Sequence, residues 1–212
     1  MHQIISGGER LGFGYIDIVS VATRCTRWII HKIIRRFCLF ILPSCSAKSG
    51  ISDPLLQMNV CCGIMCNRII GPFFFGETSI TANVYLDLLT EYVAPQLHDL
   101  QPTIIFQQDA APPHWGLHVR GFLNETFPER WIGRGGPIPW PPRSPDITPL
   151  HFFLWGYVKD MVYGTKVRDI TNLKQRITDA TIDEGMLQPT WQEIQYRLDV
   201  LRATNGAHIE VY

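Results

Sequence analysis

An α/β fold, with helices packed on a sheet, is what this sequence predicts, and three observations predict it. Two runs of apolar β-formers, residues 60–66 and 68–75, lie back to back across Cys66-Asn67 and read as a hairpin. A short, wholly apolar run at residues 103–106, between Pro102 and Pro112, suits a buried central strand. Around these lie segments whose apolar residues recur at the i, i+3, i+4, i+7 spacing of a helix face.

A length of 212 residues suffices for one domain with a sizeable core plus an ill-fitting extension. Hydrophobic content of 46% with 18% charged residues belongs to a folded chain and excludes a disordered one. The formal net charge is +0, so no overall basic footprint for nucleic acid is present. The balance is uneven, since residues 1–57 carry seven Lys/Arg against three Asp/Glu, which leaves the remainder mildly acidic. All six cysteines, at positions 25, 38, 45, 61, 62 and 66, fall in the first third. A zinc site through Cys62 and Cys66 lacks a second ligand pair at useful spacing, so reduced structural cysteines are expected. The most apolar early stretch, residues 28–42, is broken by His31, Lys32, Arg35 and Arg36, which predicts no membrane partner.

Residues 1–57 read as a divergent or poorly organised segment and residues 58–212 as the folded domain. In the first, Gly7, Gly8, Gly12 and Gly14 break any early element. Residues 16–22 could form a strand, and Ile29, Ile30, Ile33, Ile34 and Phe37 fall at helical spacing with basic residues opposite. Beyond the 60–75 hairpin, Thr81 can cap a helix whose stripe is Tyr85, Leu88, Leu89, Tyr92 and Val93, with Pro95 marking its end or a kink. The strand at residues 103–106 leads to Asp109. A helix is expected over residues 114–127, with Leu117, Val119, Phe122 and Leu123 facing the core. The Gly/Pro-rich stretch at residues 133–142 is too irregular for regular structure, and a long ordered loop of this kind points toward function. Ser144-Pro145-Asp146 reads as a helix start running on through Leu150, Phe152, Phe153, Trp155 and Val158. Asp169 or Thr171 can cap a helix burying Leu173, Ile177 and Ala180, and Pro189 can open a last one presenting Trp191, Ile194, Leu198 and Leu201.

The two residues with chemical interest are Asp109, in Phe106-Gln-Gln-Asp-Ala-Ala-Pro-Pro-His114, and Asp146, in Trp140-Pro-Pro-Arg-Ser-Pro-Asp-Ile-Thr-Pro149, thirty-seven positions apart. Carboxylates are hard oxygen ligands, and a pair at the carboxyl end of a sheet can hold the divalent ions that drive phosphoryl transfer. Each has a plainer reading: Asp109 as a turn former before Pro-Pro, Asp146 as an acid at a helix N-terminus.

The flanking sequence decides between these readings. Val60-Cys-Cys-Gly, Gln107-Gln-Asp-Ala-Ala-Pro-Pro-His114, Arg130-Trp-Ile-Gly-Arg134, Trp140-Pro-Pro-Arg-Ser-Pro-Asp146 and Phe152-Phe-Leu-Trp-Gly-Tyr157 together resemble the catalytic domain of mariner-like transposases, of the Tc/mariner superfamily, over roughly the carboxyl-terminal two thirds of the chain. The resemblance implies a ribonuclease-H-like mixed sheet flanked by helices, here incomplete at its amino-terminal strands. It implies three carboxylates holding Mg²⁺ or Mn²⁺, with Asp109 and Asp146 carried over as the second and third, each a metal ligand. It also implies DNA as partner, with transposon ends and target DNA as substrates, a homodimer, and a nuclear location.

The sequence departs from the family pattern at the first acid. Asp17 is the only acidic residue in its neighbourhood, ninety-two positions before Asp109, and its flanks do not match. Cys61 stands where the family has Trp, and His151 replaces an acid that commonly follows Thr-Pro-Leu. The helix-turn-helix part that precedes the family's catalytic domain has no match. The expectation is a transposase-derived protein whose ancestral activity, metal-dependent DNA cleavage and strand transfer, is weak or lost. The alternatives are a non-enzymatic DNA-binding or dimerising remnant, and a nonfunctional fragment.

Overall fold

The computed structural model describes residues 58–109, 111–138, 147–180 and 182–204, together with the backbone of 38–42. Five strands form one sheet: β1 (Cys38–Leu42), β2 (Val60–Ile64), β3 (Ile69–Phe74), β4 (Ile105–Gln108) and β5 (Trp131–Ile132). Their order is β3-β2-β1-β4-β5. The hairpin partners β2 and β3 are antiparallel, β1 runs antiparallel to β2 and parallel to β4, and β5 is parallel to β4. The sheet is therefore mixed, as expected.

Its middle differs from the expectation. The segment Cys-Leu-Phe-Ile-Leu lies inside residues 1–57 and fills the central position between β2 and β4. A strand flanked on both sides reads as a continuous apolar run, and these five residues are one. The strand and helix readings at residues 16–22 and 29–37 lie outside the described residues.

Strand periodicity divides the core into two layers. Val60, Cys62, Ile64, Ile105 and Ile132 face one side, while Cys61, Phe106 and Trp131 face the other. The second layer is covered by α1 (Ala82–Leu88), a π-helical turn (Leu89–Val93), α2 (Ala94–Leu97) and α3 (Leu117–Thr126). The first is covered by a π-helical turn (Leu150–Leu154), α4 (Trp155–Tyr163), α5 (Ile170–Asp179) and α6 (Glu184–Ala203). In such sheets, with helices on both faces, ligand sites collect beyond the carboxyl ends of the strands, which here includes the end of β4.

The capping signals at Thr81 and Asp169 are realised: Thr81 Oγ1 accepts from Val84 N–H at 3.3 Å and Asp169 Oδ1 from Asn172 N–H at 2.8 Å. Pro95 produces neither an end nor a simple kink. It lacks the N–H that would continue the ladder, and the turn before it widens into the π segment Leu89–Val93. Tyr92 is thereby 58% exposed instead of buried, its ring tilted against Phe73 at 5.7 Å. Leu117 is likewise exposed, at 77%, because the helix starts at Gly116 after a separate 3-10 turn (Pro112–Trp115).

Two helix starts also differ. The run through Leu150 begins at Pro149, after Thr148, which is not helical; the expected cap at Ser144 lies outside the described residues. A residue before proline is steered away from the α region, and Thr148 precedes Pro149. The last helix starts at Asp183, whose Oδ1 accepts from Met186 N–H at 2.9 Å, and Pro189 lies inside it. The cap and the burial of Leu187 outweigh the one backbone bond that Pro189 cannot make.

Candidate active site

Asp109 follows the last residue of β4 and stands at the carboxyl end of the sheet. Its surroundings are built almost entirely from the sequence Gln108 to His114. Pro112 and Pro113 lack N–H groups and are accommodated in a 3-10 turn that carries His114 back beneath the strand end. His114 is fully buried, and its Nδ1 stands 2.6 Å from Asp109 Oδ1. Because a carboxylate only accepts, that ring nitrogen carries a proton and donates it. Ala111 N–H donates to the same oxygen at 2.9 Å. The turn-forming role read from the sequence is thus real, and it engages Oδ1. Among the described residues no hydrogen-bond partner meets Oδ2, and the side chain is 33% exposed.

A chain of hydrogen bonds fixes His114. Tyr85 O–H donates to Gln108 Oε1 at 3.2 Å, and Gln108 Nε2 donates to the His114 carbonyl at 2.7 Å. The Tyr85 and His114 rings stack with centroids 4.1 Å apart. Burial pushes the Tyr85 hydroxyl well above its usual range, with Cys61 and Asp109 adding to it, so the phenol keeps its proton. Donor and acceptor roles in the chain are then fixed, and linked bonds of this kind reinforce one another.

Burial alone would raise the Asp109 carboxyl, but the His114 hydrogen bond and charge, the Ala111 N–H and the nearby His151 outweigh it and hold the group below the ordinary aspartate value. It is ionised at neutral pH and available to a cation. A carboxyl whose folded pKa is depressed contributes stability that is fully present above the unfolded pKa and is lost as pH falls through the folded one. The wild type is expected to lose urea resistance more steeply than Asp109→Asn as pH falls from about 5 to about 3. Parallel curves for the two proteins would contradict this.

The positions where the sequence departs from the family pattern gather around this carboxylate. His151 is exposed and within electrostatic reach of Asp109; desolvation holds its imidazole below the usual value despite the opposing pull of Asp109. Cys61 is buried on β2, one strand beyond β1, its thiol pushed up by burial and by the charges of Cys62 and Asp109. Burial pushes the Cys62 thiol up to about 12, which suits a structural cysteine.

Neither Asp146 nor Asp17 lies within the described residues, so of the expected ligands the geometry defines Asp109 alone. Strand β1 lies beside β4 with Ile41 in register with Gln108, one residue before Asp109. All five residues of β1 are without an ionisable carboxyl. No group of three or more His, Cys, Asp or Glu arranged to hold a metal occurs among the described residues. Oδ2 of Asp109, without a hydrogen-bond partner among the described residues, is the atom free to meet a divalent cation. Strand β1 adds no carboxylate beside it. Sequence reading passed over His114 as the partner of Asp109, although the five-residue spacing across Pro-Pro was its signal.

Comparison with known proteins gives a consistent fold. No family model and no curated protein matches the chain. Among solved structures, the Mos1 transposase catalytic domain with raltegravir and manganese superposes with a TM-score of 0.72 at 14% identity, covering 95% of this chain and 100% of that one. The catalytic domain of Mos1 mariner transposase gives 0.72 at 17% identity, covering 94% and 98%. The Mos1 strand transfer complex gives 0.69 at 16% identity, covering 99% of this chain and 68% of that one. The strand order and these likenesses together show that the chain has the ribonuclease-H-like fold of a mariner transposase catalytic domain.

Proposed function

We propose that this chain is a mariner-type, transposase-derived protein that acts on DNA in the nucleus and has lost most or all of its strand-cleaving activity. The supporting observation is the contrast between β4 and β1. Asp109 is an ionised carboxylate with one oxygen pinned and the other open, at the crevice where ligand sites of α/β sheets collect. The strand beside it offers no second acid.

Asp109, joined by Asp146 through the family resemblance, would hold a Mg²⁺ or Mn²⁺ ion, whose positive charge supports phosphoryl transfer when bound. The Mos1 structures were solved with Mn and with Mg, in agreement with such a donor set. His114 keeps Asp109 charged and oriented, while Tyr85 and Gln108 keep His114 in place. The Mos1 paired-end complex with left transposon end and the Mos1 strand transfer complex support DNA as the partner, while target DNA as substrate and association of two chains are carried over from the family resemblance.

A Mn²⁺-dependent nicking assay on supercoiled DNA, with Asp109→Ala as control, tests the reading. Wild type and variant are expected to nick at the same background rate. Robust cutting by the wild type that Asp109→Ala abolishes would overturn the loss of activity.

A further inference from the structure

The described arginines mostly hold the protein's own acceptors. Arg130 donates to Gln101 and to the Ile104 carbonyl, Arg176 to the carbonyls of Val162, Thr165 and Lys166, and Arg202 to Asp199. Arg134 is different. It is exposed, its guanidinium lies 4.2 Å from the centroid of the Trp115 ring, and it has no hydrogen bond or ion pair among the described residues. Trp115 is itself 37% exposed, one of the few large apolar side chains open to solvent among the described residues.

The position of this pair gives it meaning. Trp115 directly follows His114, which grips Asp109. Arg134 directly follows Gly133, where a Cβ would stand 3.0 Å from Gln108 Cγ, so the loop after β5 lies against the last residue of β4. A second guanidinium adjoins the same loop. Gly135, at φ +75°, lies over Arg120, and a Cβ there would stand 3.1 Å from Arg120 Nη1. Arg120 Nε is buried with no acceptor among the described residues. Exposed Arg134 and Arg120, whose buried Nε has no acceptor among the described residues, thus adjoin one loop beside an exposed indole, next in sequence to the residues that frame Asp109.

Planar guanidinium groups match phosphate oxygens in fork geometry, and an exposed aromatic ring offers a face to any unpaired base. We propose that Trp115 and Arg134, backed by Arg120, form a clamp for an unpaired DNA strand at the edge of the Asp109 site, the indole stacking on a base and Arg134 holding the adjoining phosphate. This rests on DNA being the partner, and it names which form of DNA the clamp receives. A duplex keeps its bases stacked inside, where the indole cannot reach them.

The test is binding of the full chain to a labelled single-stranded oligonucleotide, followed by fluorescence anisotropy in EDTA so that cleavage and metal play no part. An abasic strand of equal length and a duplex serve as comparisons. Trp115→Ala is expected to weaken binding of the base-bearing strand roughly tenfold and to leave the abasic strand nearly unchanged, with Trp115→Phe retaining most of the affinity. Arg134→Ala is expected to weaken both strands and to lower the salt slope by about 0.7. Both positions are exposed, so thermal melts matching the wild type establish that the variants fold. A wild type that binds the single strand, with folded variants binding it equally well, overturns the clamp and leaves the DNA reading intact. A wild type that binds no DNA of any form overturns both.

Discussion

Replacing His114 by alanine is expected to weaken Mn²⁺ binding at Asp109 by roughly 10- to 100-fold, the usual cost of removing a group that orients a metal ligand. His114 is fully buried and donates to Asp109 Oδ1 at 2.6 Å. Without it the carboxylate retains only the Ala111 N–H, its pKa rises toward the burial-dominated value, and Oδ2 is no longer aimed. The Tyr85 ring also loses its stacking partner. Asparagine is the informative companion, because its amide nitrogen can stand near the position of Nδ1 and restore the donor without the ring. Manganese titrations followed by electron paramagnetic resonance should rank wild type above His114→Asn above His114→Ala. Equal affinities in folded proteins would show that His114 does not orient Asp109 for the ion.

Trp131→Ala should have the largest effect on stability, about 3–5 kcal/mol in urea denaturation, as for other large buried aromatics. Its side chain is completely buried in the two-residue strand β5, and its indole N–H donates to Asn124 at 2.9 Å. The loop that follows packs on the indole through glycines: a Cβ at Gly136 would stand 2.6 Å from the ring and one at Gly133 3.1 Å. That backbone is too close for side chains to move in and refill the space. Truncation would leave a cavity beside β4, loosen the loop that carries Arg134, and release Asn124. A loss under about 1 kcal/mol, the size of an average substitution, would contradict this placement of Trp131.

Much of the fold was legible because its signals are local. The hairpin showed as two β-rich runs, the cap at Thr81 and the alternative at Asp169 as single polar residues before helical spacing, and β4 as an apolar run between prolines. What was hidden depends on tertiary context. Strand β1 is five apolar residues adjoining a helix-spaced stretch, and only its partners β2 and β4 mark it as the middle of the sheet. Strand β5 is two residues long, below any periodicity. At the last helix the proline signal at Pro189 masked the weaker Asp183 cap six residues earlier. Within the site, Asp109 was legible through its motif, whereas its union with His114, Tyr85 and Gln108 required the 3-10 turn and α1 to meet at the strand end.

On the proposed reading, Asp109, directly after β4, binds a cation and β1 contributes no carboxylate. Counting Mn²⁺ ions per folded chain by calorimetric titration tests it most directly. One ion bound by the wild type and none by Asp109→Ala is the predicted result. Two ions per wild-type chain, or a single ion that Asp109→Ala still binds with unchanged affinity, would contradict it.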